Sequence, residues 1–123
     1  MIDRFRFHNH NPDNAIEEDC VCRAISMATG LKYKAVNNLL TLCADDNHCD
    51  RLCLCCYRHL LEDVLLYNGY DCNFERTVYD VVERHSDKKL LIRIDGHLTC
   101  SIYGTIVDIW DCSDELVDCF WIV

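Results

Sequence analysis

The pattern of hydrophobic and polar positions changes near residue 90 of the 123-residue chain. Before that point, apolar residues recur every three or four positions, which is typical of amphipathic helices. After it, short apolar stretches are separated by turn residues, which indicates strands. The sequence therefore predicts an α+β fold in which N-terminal helices pack on a C-terminal sheet.

The first helix is predicted over residues 19–29. Asp19 has a side chain suited to an N-cap, because its carboxylate can accept hydrogen bonds from free backbone N–H groups. Ala24 and Ile25 begin an apolar stripe at helical spacing, and Gly30 provides a stop. Cys20 therefore falls in the first turn of a helix.

Three further helices are predicted before residue 90. One covers 34–43 and ends at the polar stretch 44–48, and a longer one covers 50–67. A short helix begins at Thr77, where Thr77 and Asp80 have the spacing of a capping box. All three bury one apolar stripe, as helices packed on a sheet do.

The C-terminal part predicts a four-stranded antiparallel meander, in which each strand pairs with the one before it. Asp95-Gly96 is a strong hairpin signal, and Gly104 marks the next turn. Phe5 and Phe7 alternate with polar residues, which fits a short edge strand at the beginning of the chain. The four predicted strands cover residues 90–94, 97–103, 105–110 and 117–123.

Length and charge narrow the class of protein. A chain of 123 residues predicts one domain, 1–123, which is long enough to bury a core without metal or disulfides. The net charge of −9 argues against a nucleic-acid partner, because phosphate binding needs clustered Lys and Arg. No apolar run approaches a membrane span and no signal peptide is visible, so we expect a cytoplasmic protein without a membrane partner.

Eleven cysteines reach the density of a disulfide-rich scaffold. The odd number, the missing export signal and the helical positions of many cysteines favour reduced thiols instead. A free cysteine in a reducing compartment behaves as a small buried hydrophobe. We therefore expect no disulfide framework.

Cys20 is the candidate nucleophile. The dipole and the unpaired N–H groups of a helix N-terminus favour a thiolate at this position. Cys22 is the rival, but a residue two positions further points to the opposite side of a helix. Read alone, Cys20 could equally be a buried structural thiol.

A thiol nucleophile needs a base, and the base needs an orienting group. His97 follows the Asp95-Gly96 turn, and Asp108 lies on the next strand. An Asp beside a His holds the ring in one tautomer and stabilises its cation. Counted from Gly104, the pairing of His97 with Asp108 is offset, which predicts a bulge. Alone, each could be an ordinary strand residue.

This order of residues resembles the papain-like cysteine peptidase superfamily, and most closely its compact Cys-His-Asp forms such as bacteriocin-processing peptidase domains. The resemblance implies a papain-like fold, Cys20, His97 and Asp108 as catalytic residues, and a protein or peptide substrate. That superfamily has a Gln six residues before the nucleophile as an oxyanion donor, where this chain has Asn14. The resemblance therefore implies that Asn14, with the Cys20 backbone N–H, holds the oxyanion.

Two segments, DCVCRAISMATGLKY and GHLTCSIYGTIVDIWDC, are similar to small bacteriophage proteins. This resemblance implies a substrate from the host and action in the host cytoplasm. Three functions stay open: a thiol hydrolase (peptidase, isopeptidase or amidase), a transglutaminase-like acyl transferase, and an idle papain-like fold that binds or inhibits a host protein. The sequence gives no oligomeric state.

A second cluster has residue types that bind zinc. Its candidate ligands are Cys43, His48, Cys49 and Cys53. The spacing lacks the paired C-x2-C of a zinc knuckle, and Cys53 fits the apolar stripe of the third helix. We therefore favour a thiol-rich core helix over a metal site, and expect no cofactor.

Overall fold

The computed structural model describes residues 4–50 and 52–123. It is an α+β structure with a six-stranded mixed sheet. A single π-helical turn, Leu60–Val64, follows the third helix. The other elements are β1 Phe5–Phe7, α1 Cys20–Thr29, α2 Tyr33–Asn47, α3 Leu54–His59, β2 Asn68–Asp71, α4 Val78–Arg84, β3 Lys89–Ile94, β4 His97–Ile102, β5 Thr105–Asp108 and β6 Val117–Ile122.

The prediction of a four-stranded meander was wrong. The strand order is β1-β5-β4-β3-β6-β2, so β6 pairs with β3 and not with β5. The free edge of β5 is taken by β1, which runs parallel to it from Phe5↔Ile106 to Phe7↔Asp108. Strands β3 to β6 therefore form a Greek key, in which the fourth strand returns beside the first. The edge strand predicted at Phe5 and Phe7 is confirmed.

Helices cover both faces of the sheet. On one face, α1, α2 and α3 pack with Leu91, Leu98 and Trp121 in the larger core. On the other face, α4 packs with alternate residues of the same strands, including Leu90 and Ile92. This two-sided burial explains why β3 reads as a nearly continuous apolar run. It also leaves α1 against β4, which positions the site described below.

The predicted helices differ from the observed ones mainly at their ends. Gly30 ends α1 in the left-handed conformation, with φ of 78°. The polar stretch predicted to break α2 continues it to Asn47. The capping box of Thr77 and Asp80 is confirmed at the start of α4.

The predicted 50–67 helix is shorter and less regular than expected. The Asp50 carboxylate accepts the Leu52 N–H at 2.9 Å and so stabilises a turn before the helix, which begins at Leu54. After the π-helical turn, the chain leaves the helix and forms β2 against β6. No helix in the described part of the chain is long and apolar enough to cross a membrane.

Candidate active site

The β4–β5 hairpin brings His97 and Asp108 together. Its turn pairs Ile102 with Thr105, and the same register extended along the strands places Thr99 opposite Asp108. His97 lies two residues from Thr99 and therefore on the same face of the sheet. His97 Nε2 is 2.7 Å from Asp108 Oδ2. The expected offset is thus a diagonal cross-strand contact.

The Asp108 carboxylate is buried and surrounded by donors. Thr99 Oγ1 donates to Oδ2 at 2.7 Å, next to the His97 contact. The Ile109 N–H donates to Oδ1 at 2.7 Å, and Arg23 Nη1 lies 3.4 Å from the same oxygen. Burial alone raises the pKa of Asp108, but the hydrogen bond and the charge of His97, with the other donors, lower it overall. Asp108 is therefore an anion that faces His97.

Cys20 is the first residue of α1 and is half-buried. Burial alone raises the pKa of Cys20, but hydrogen bonding by His97 and by the Leu98 backbone N–H, with the positive charges of His97 and Arg23, lowers it below the ordinary value. Since Asp108 engages Nε2 of His97, Nδ1 is the ring nitrogen available to the thiol.

The pKa of His97 is shifted in the opposite direction. Burial lowers the pKa of His97, but the hydrogen bonds to Asp108 and Cys20 dominate and raise it to about 9. A lowered pKa of Cys20 beside a raised pKa of His97 favours the form of the pair in which a thiolate lies beside an imidazolium. Trp110 contacts the imidazole edge-on, with ring centroids 5.2 Å apart.

The prediction that the Asp19 carboxylate caps α1 is wrong. Asp19 holds the N-cap position, but its carboxylate makes no capping hydrogen bond. It is buried and instead accepts Arg23 Nε at 2.7 Å, the Tyr33 hydroxyl at 2.7 Å and Asn11 Nδ2 at 2.9 Å. Arg23 thus joins the start of α1 to Asp108 on β5.

Cys22 and Asn14 lie apart from this chain of hydrogen bonds. Cys22 is buried, and its thiol donates to the Tyr33 carbonyl at 3.4 Å. Asn14 is exposed, in the left-handed conformation with φ of 56°, and its backbone N–H donates to Asn11. Asn14 is not among the residues that line the cavity at Cys20. An oxyanion-donor role for Asn14 stays a prediction.

An open cavity of about 550 Å³ lies over Cys20 and His97. Its apolar walls come from α3, from the turn before it and from the segment after β5. Acidic side chains lie where α1 begins. The lining residues are Glu17, Glu18, Cys20, Val21, Arg23, Leu52, Leu54, Tyr57, Arg93, Gly96, His97, Leu98, Ile109 and Trp110. The volume is in the range of small-molecule sites, and the openness to solvent suits a peptide segment.

The structure does not assemble the predicted zinc ligands. Cys43 is buried in the larger core, whereas His48 is exposed at the end of α2. Cys53, predicted in the core, is exposed, and its sulfur lies 3.1 Å from that of Cys55. Within the described residues, the group with three close ligand atoms is instead His97, Asp108 and Cys112. The hydrogen bond between His97 and Asp108 already accounts for the proximity of those two side chains.

Sequence reasoning missed Arg23 and Thr99, and it interpreted Trp110 only as a core or pocket-wall residue, which is confirmed by its place in the cavity lining. Arg23 could have been found, because it lies on the apolar side of α1 beside Ala24, where an unpaired charge is unfavourable. Thr99 could have been found by counting from a two-residue turn at 103–104. No local signal distinguishes Trp110 from an ordinary strand-end aromatic residue.

Fold and site together define an α+β domain in which Cys20 and the hydrogen-bonded pair of His97 and Asp108 lie at an open cavity. Comparison with protein-family models, with curated proteins and with solved structures found no match to this chain.

Proposed function

We propose that the protein is a papain-like thiol hydrolase that cleaves a peptide, isopeptide or related amide bond. The observation that supports this most strongly is the position of Cys20 beside His97, which is itself hydrogen-bonded to Asp108. Cys20 and His97 line the same open cavity, so a carbonyl group has access to the sulfur. In keeping with the resemblance to bacteriophage proteins, the proposed substrate is a host protein in the host cytoplasm.

The first half of the reaction uses the ion pair. The Cys20 thiolate attacks the carbonyl carbon, and the electron pair of the C=O bond moves to oxygen. The Cys20 backbone N–H, which lacks an intrahelical partner at the first residue of α1, can stabilise this oxyanion. As the C–N bond breaks, the His97 imidazolium gives its proton to the leaving amine. An acyl-thiol remains on Cys20.

The second half restores the enzyme. Neutral His97 takes a proton from water, and the resulting hydroxide attacks the acyl carbon. The carboxylic acid leaves as the Cys20 thiolate forms again beside the His97 imidazolium. Asp108 keeps Nδ1 directed at the reacting atoms throughout. If an amine replaces water in this step, the same acyl-thiol gives acyl transfer.

A non-enzymatic binder is the second candidate. The observation that favours it is the position of Asn14, which is exposed and outside the lining of the cavity. Without a side-chain oxyanion donor, the transition state loses about 3 kcal/mol of stabilisation, and turnover can become negligible. The fold would then act through its acidic surface on a basic host protein.

Brief treatment with iodoacetamide at about pH 6.5 separates these candidates, with each alkylated cysteine identified by mass spectrometry. An ordinary thiol is roughly 1% ionised at that pH. We therefore expect Cys20 to react about ten times faster than Cys53, although Cys53 is the more exposed. Equal or slower reaction of Cys20 would refute the hydrolase.

Substitution then links reactivity to function. Cys20→Ser should abolish rapid alkylation and cleavage of host-lysate proteins, while the matched change Cys22→Ser should preserve both in protein that remains folded. Retained biological activity in Cys20→Ser would support the binder. If Cys22→Ser were the inactivating change, the nucleophile would be misassigned.

A further inference from the structure

Two of the cations that line the cavity are already paired. Arg23 is buried between the carboxylates of Asp19 and Asp108. Arg93 forms an ion pair with Asp118. Neither guanidinium therefore offers an unneutralised charge to a bound substrate.

The carboxylates that line the cavity, unlike these two guanidinium groups, keep an unneutralised charge. Glu17 and Glu18 are exposed at the start of α1 and line the cavity. Glu17 Oε1 accepts the Asn11 amide at 2.8 Å, which leaves its charge in place. Across the described residues, neither carboxylate forms an ion pair. The charge at this side of the cavity is thus negative.

The cavity wall adds apolar and aromatic surface. Trp110 is 44% exposed while its ring contacts His97. Leu52 and Leu54 contribute aliphatic surface to the same cavity. A long cationic side chain can place its methylene groups on such surface and its charge near a carboxylate or an indole face. A small or acidic side chain gains neither contact.

We propose that the cavity binds a lysine or arginine side chain of the substrate close to the scissile bond, through Glu17, Glu18 and the face of Trp110. This substrate class depends on the proposed thiol hydrolase, because it assigns the specificity of the same cavity. The net charge of −9 would also favour the approach of basic substrate segments.

Charged thiol reagents test this preference without a known substrate. Cys20 is treated with the 2-aminoethyl and 2-sulfonatoethyl methanethiosulfonates, which match in size and differ in charge. Mass spectrometry measures modification of Cys20, and each rate is divided by that of N-acetylcysteinamide. We expect the cationic reagent to be favoured by roughly tenfold. Taking a ratio removes any effect of a variant on the ionisation of Cys20, since both reagents need the thiolate.

Two double variants then distinguish the effect of the cavity carboxylates from the effect of the net charge of the whole protein. Glu17→Gln with Glu18→Gln should reduce the cation preference at least threefold. Glu75→Gln with Glu83→Gln makes the same change in net charge at exposed positions outside the cavity lining, and should reduce it far less. An equal fall in both variants, or none in the first, would overturn the proposed specificity.

Neutral iodoacetamide keeps this test independent of the hydrolase proposal. If Cys20 reacts rapidly with it but shows no charge preference, only the basic substrate class is overturned. If Cys20 prefers the cation but does not react rapidly with iodoacetamide, the cavity binds cations and the hydrolase fails. Quenched peptides with Lys or Gln around the scissile bond then measure the preference in kcat/KM.

Discussion

At the scale of single residues, the proton between Cys20 and His97 determines the chemistry. The pKa of Cys20 is lowered and that of His97 is raised to about 9. As pH falls through the pKa of Cys20, the thiolate is protonated and alkylation slows. As pH rises through about 9, His97 loses its proton and the thiolate persists. In the proposed hydrolysis, the leaving amine would then lack its proton donor.

Alkylation and hydrolysis should therefore differ in their pH profiles. We expect alkylation of Cys20 to remain fast well below the ordinary thiol pKa of about 8.5, and not to fall at high pH. Hydrolysis should decline above about pH 9. His97→Ala should move the midpoint of alkylation up into the ordinary thiol range, because the thiolate loses its partner.

The two profiles are measured by pulsed iodoacetamide labelling and by peptide cleavage over the same buffers. Asp108→Asn is a useful comparison, since it keeps the side-chain shape and removes the negative charge that stabilises the imidazolium. It should lower the pH at which hydrolysis declines. An unchanged alkylation midpoint in His97→Ala would show that the helix N-terminus alone ionises Cys20.

Residue-level reasoning from the sequence worked where contacts are local. Cys20 at the start of a helix and His97 after a tight turn follow from adjacent residues. The partners of Asp19 could not be predicted in the same way. Its carboxylate accepts a hydrogen bond from Tyr33, fourteen positions away. It also pairs with the buried Arg23 instead of accepting hydrogen bonds from the backbone N–H groups of α1.

At the scale of elements, Arg23 connects α1 to the strand that carries Asp108. Removing it leaves the carboxylates of Asp19 and Asp108 buried with fewer donors, and breaking a buried ion pair costs about 3–5 kcal/mol. Arg23→Ala should thus reduce the free energy of unfolding by about that amount. Arg23→Lys should reduce the free energy of unfolding by less, because it keeps the positive charge, although it lacks the several N–H donors of the guanidinium.

Urea denaturation of the purified variants measures this effect. Arg58→Ala is the control, since Arg58 pairs with Glu62 at 3.6 Å at a far more exposed position, beside a weak contact to the Cys119 sulfur. Arg58→Ala should reduce the free energy of unfolding by less than about 1 kcal/mol. If Arg23→Ala were as mild as Arg58→Ala, water would be able to solvate the carboxylates, and the connection between α1 and β5 would not depend on Arg23.

Element prediction failed in the middle of the chain for physical reasons. The apolar stripe after Asp50 continues at helical spacing, although the structure changes to a π-helical turn and then to β2. Strand β2 has four exposed residues and one aromatic side chain, so its sequence carries no alternation. Its pairing with β6 determines its conformation, and a local pattern cannot show that pairing.

At the scale of the whole molecule, the strand order depends on contacts between distant parts of the chain. Phe5 pairs with Ile106, about a hundred residues later, and this pairing occupies the edge where β6 was expected. The hydrophobic pattern specifies which face of a strand is buried, but not which strand lies next to it. Except for β2, the strands were therefore predictable, and their order was not.

The two cores also set the behaviour of the eleven thiols. In the structure, six are buried, three are half-buried and Cys53 and Cys55 are exposed; the buried ones are Cys22, Cys43, Cys56, Cys100, Cys112 and Cys119. All the cysteines lie in the described part of the chain, and no disulfide is formed among them. Burial raises the pKa of Cys100 and of Cys112 to about 12, which further suppresses their reactivity.

Thiol titration of the protein purified without reductant tests this arrangement. We expect the native protein to expose at most five rapidly reacting thiols, and the denatured protein to titrate nearly all eleven. The six buried thiols should react only at the rate of unfolding, because a reagent cannot reach them in a packed core. Four or five disulfides would mean that the folded chain belongs to an oxidising compartment. Rapid reaction of all eleven would mean that the two cores are not packed as described.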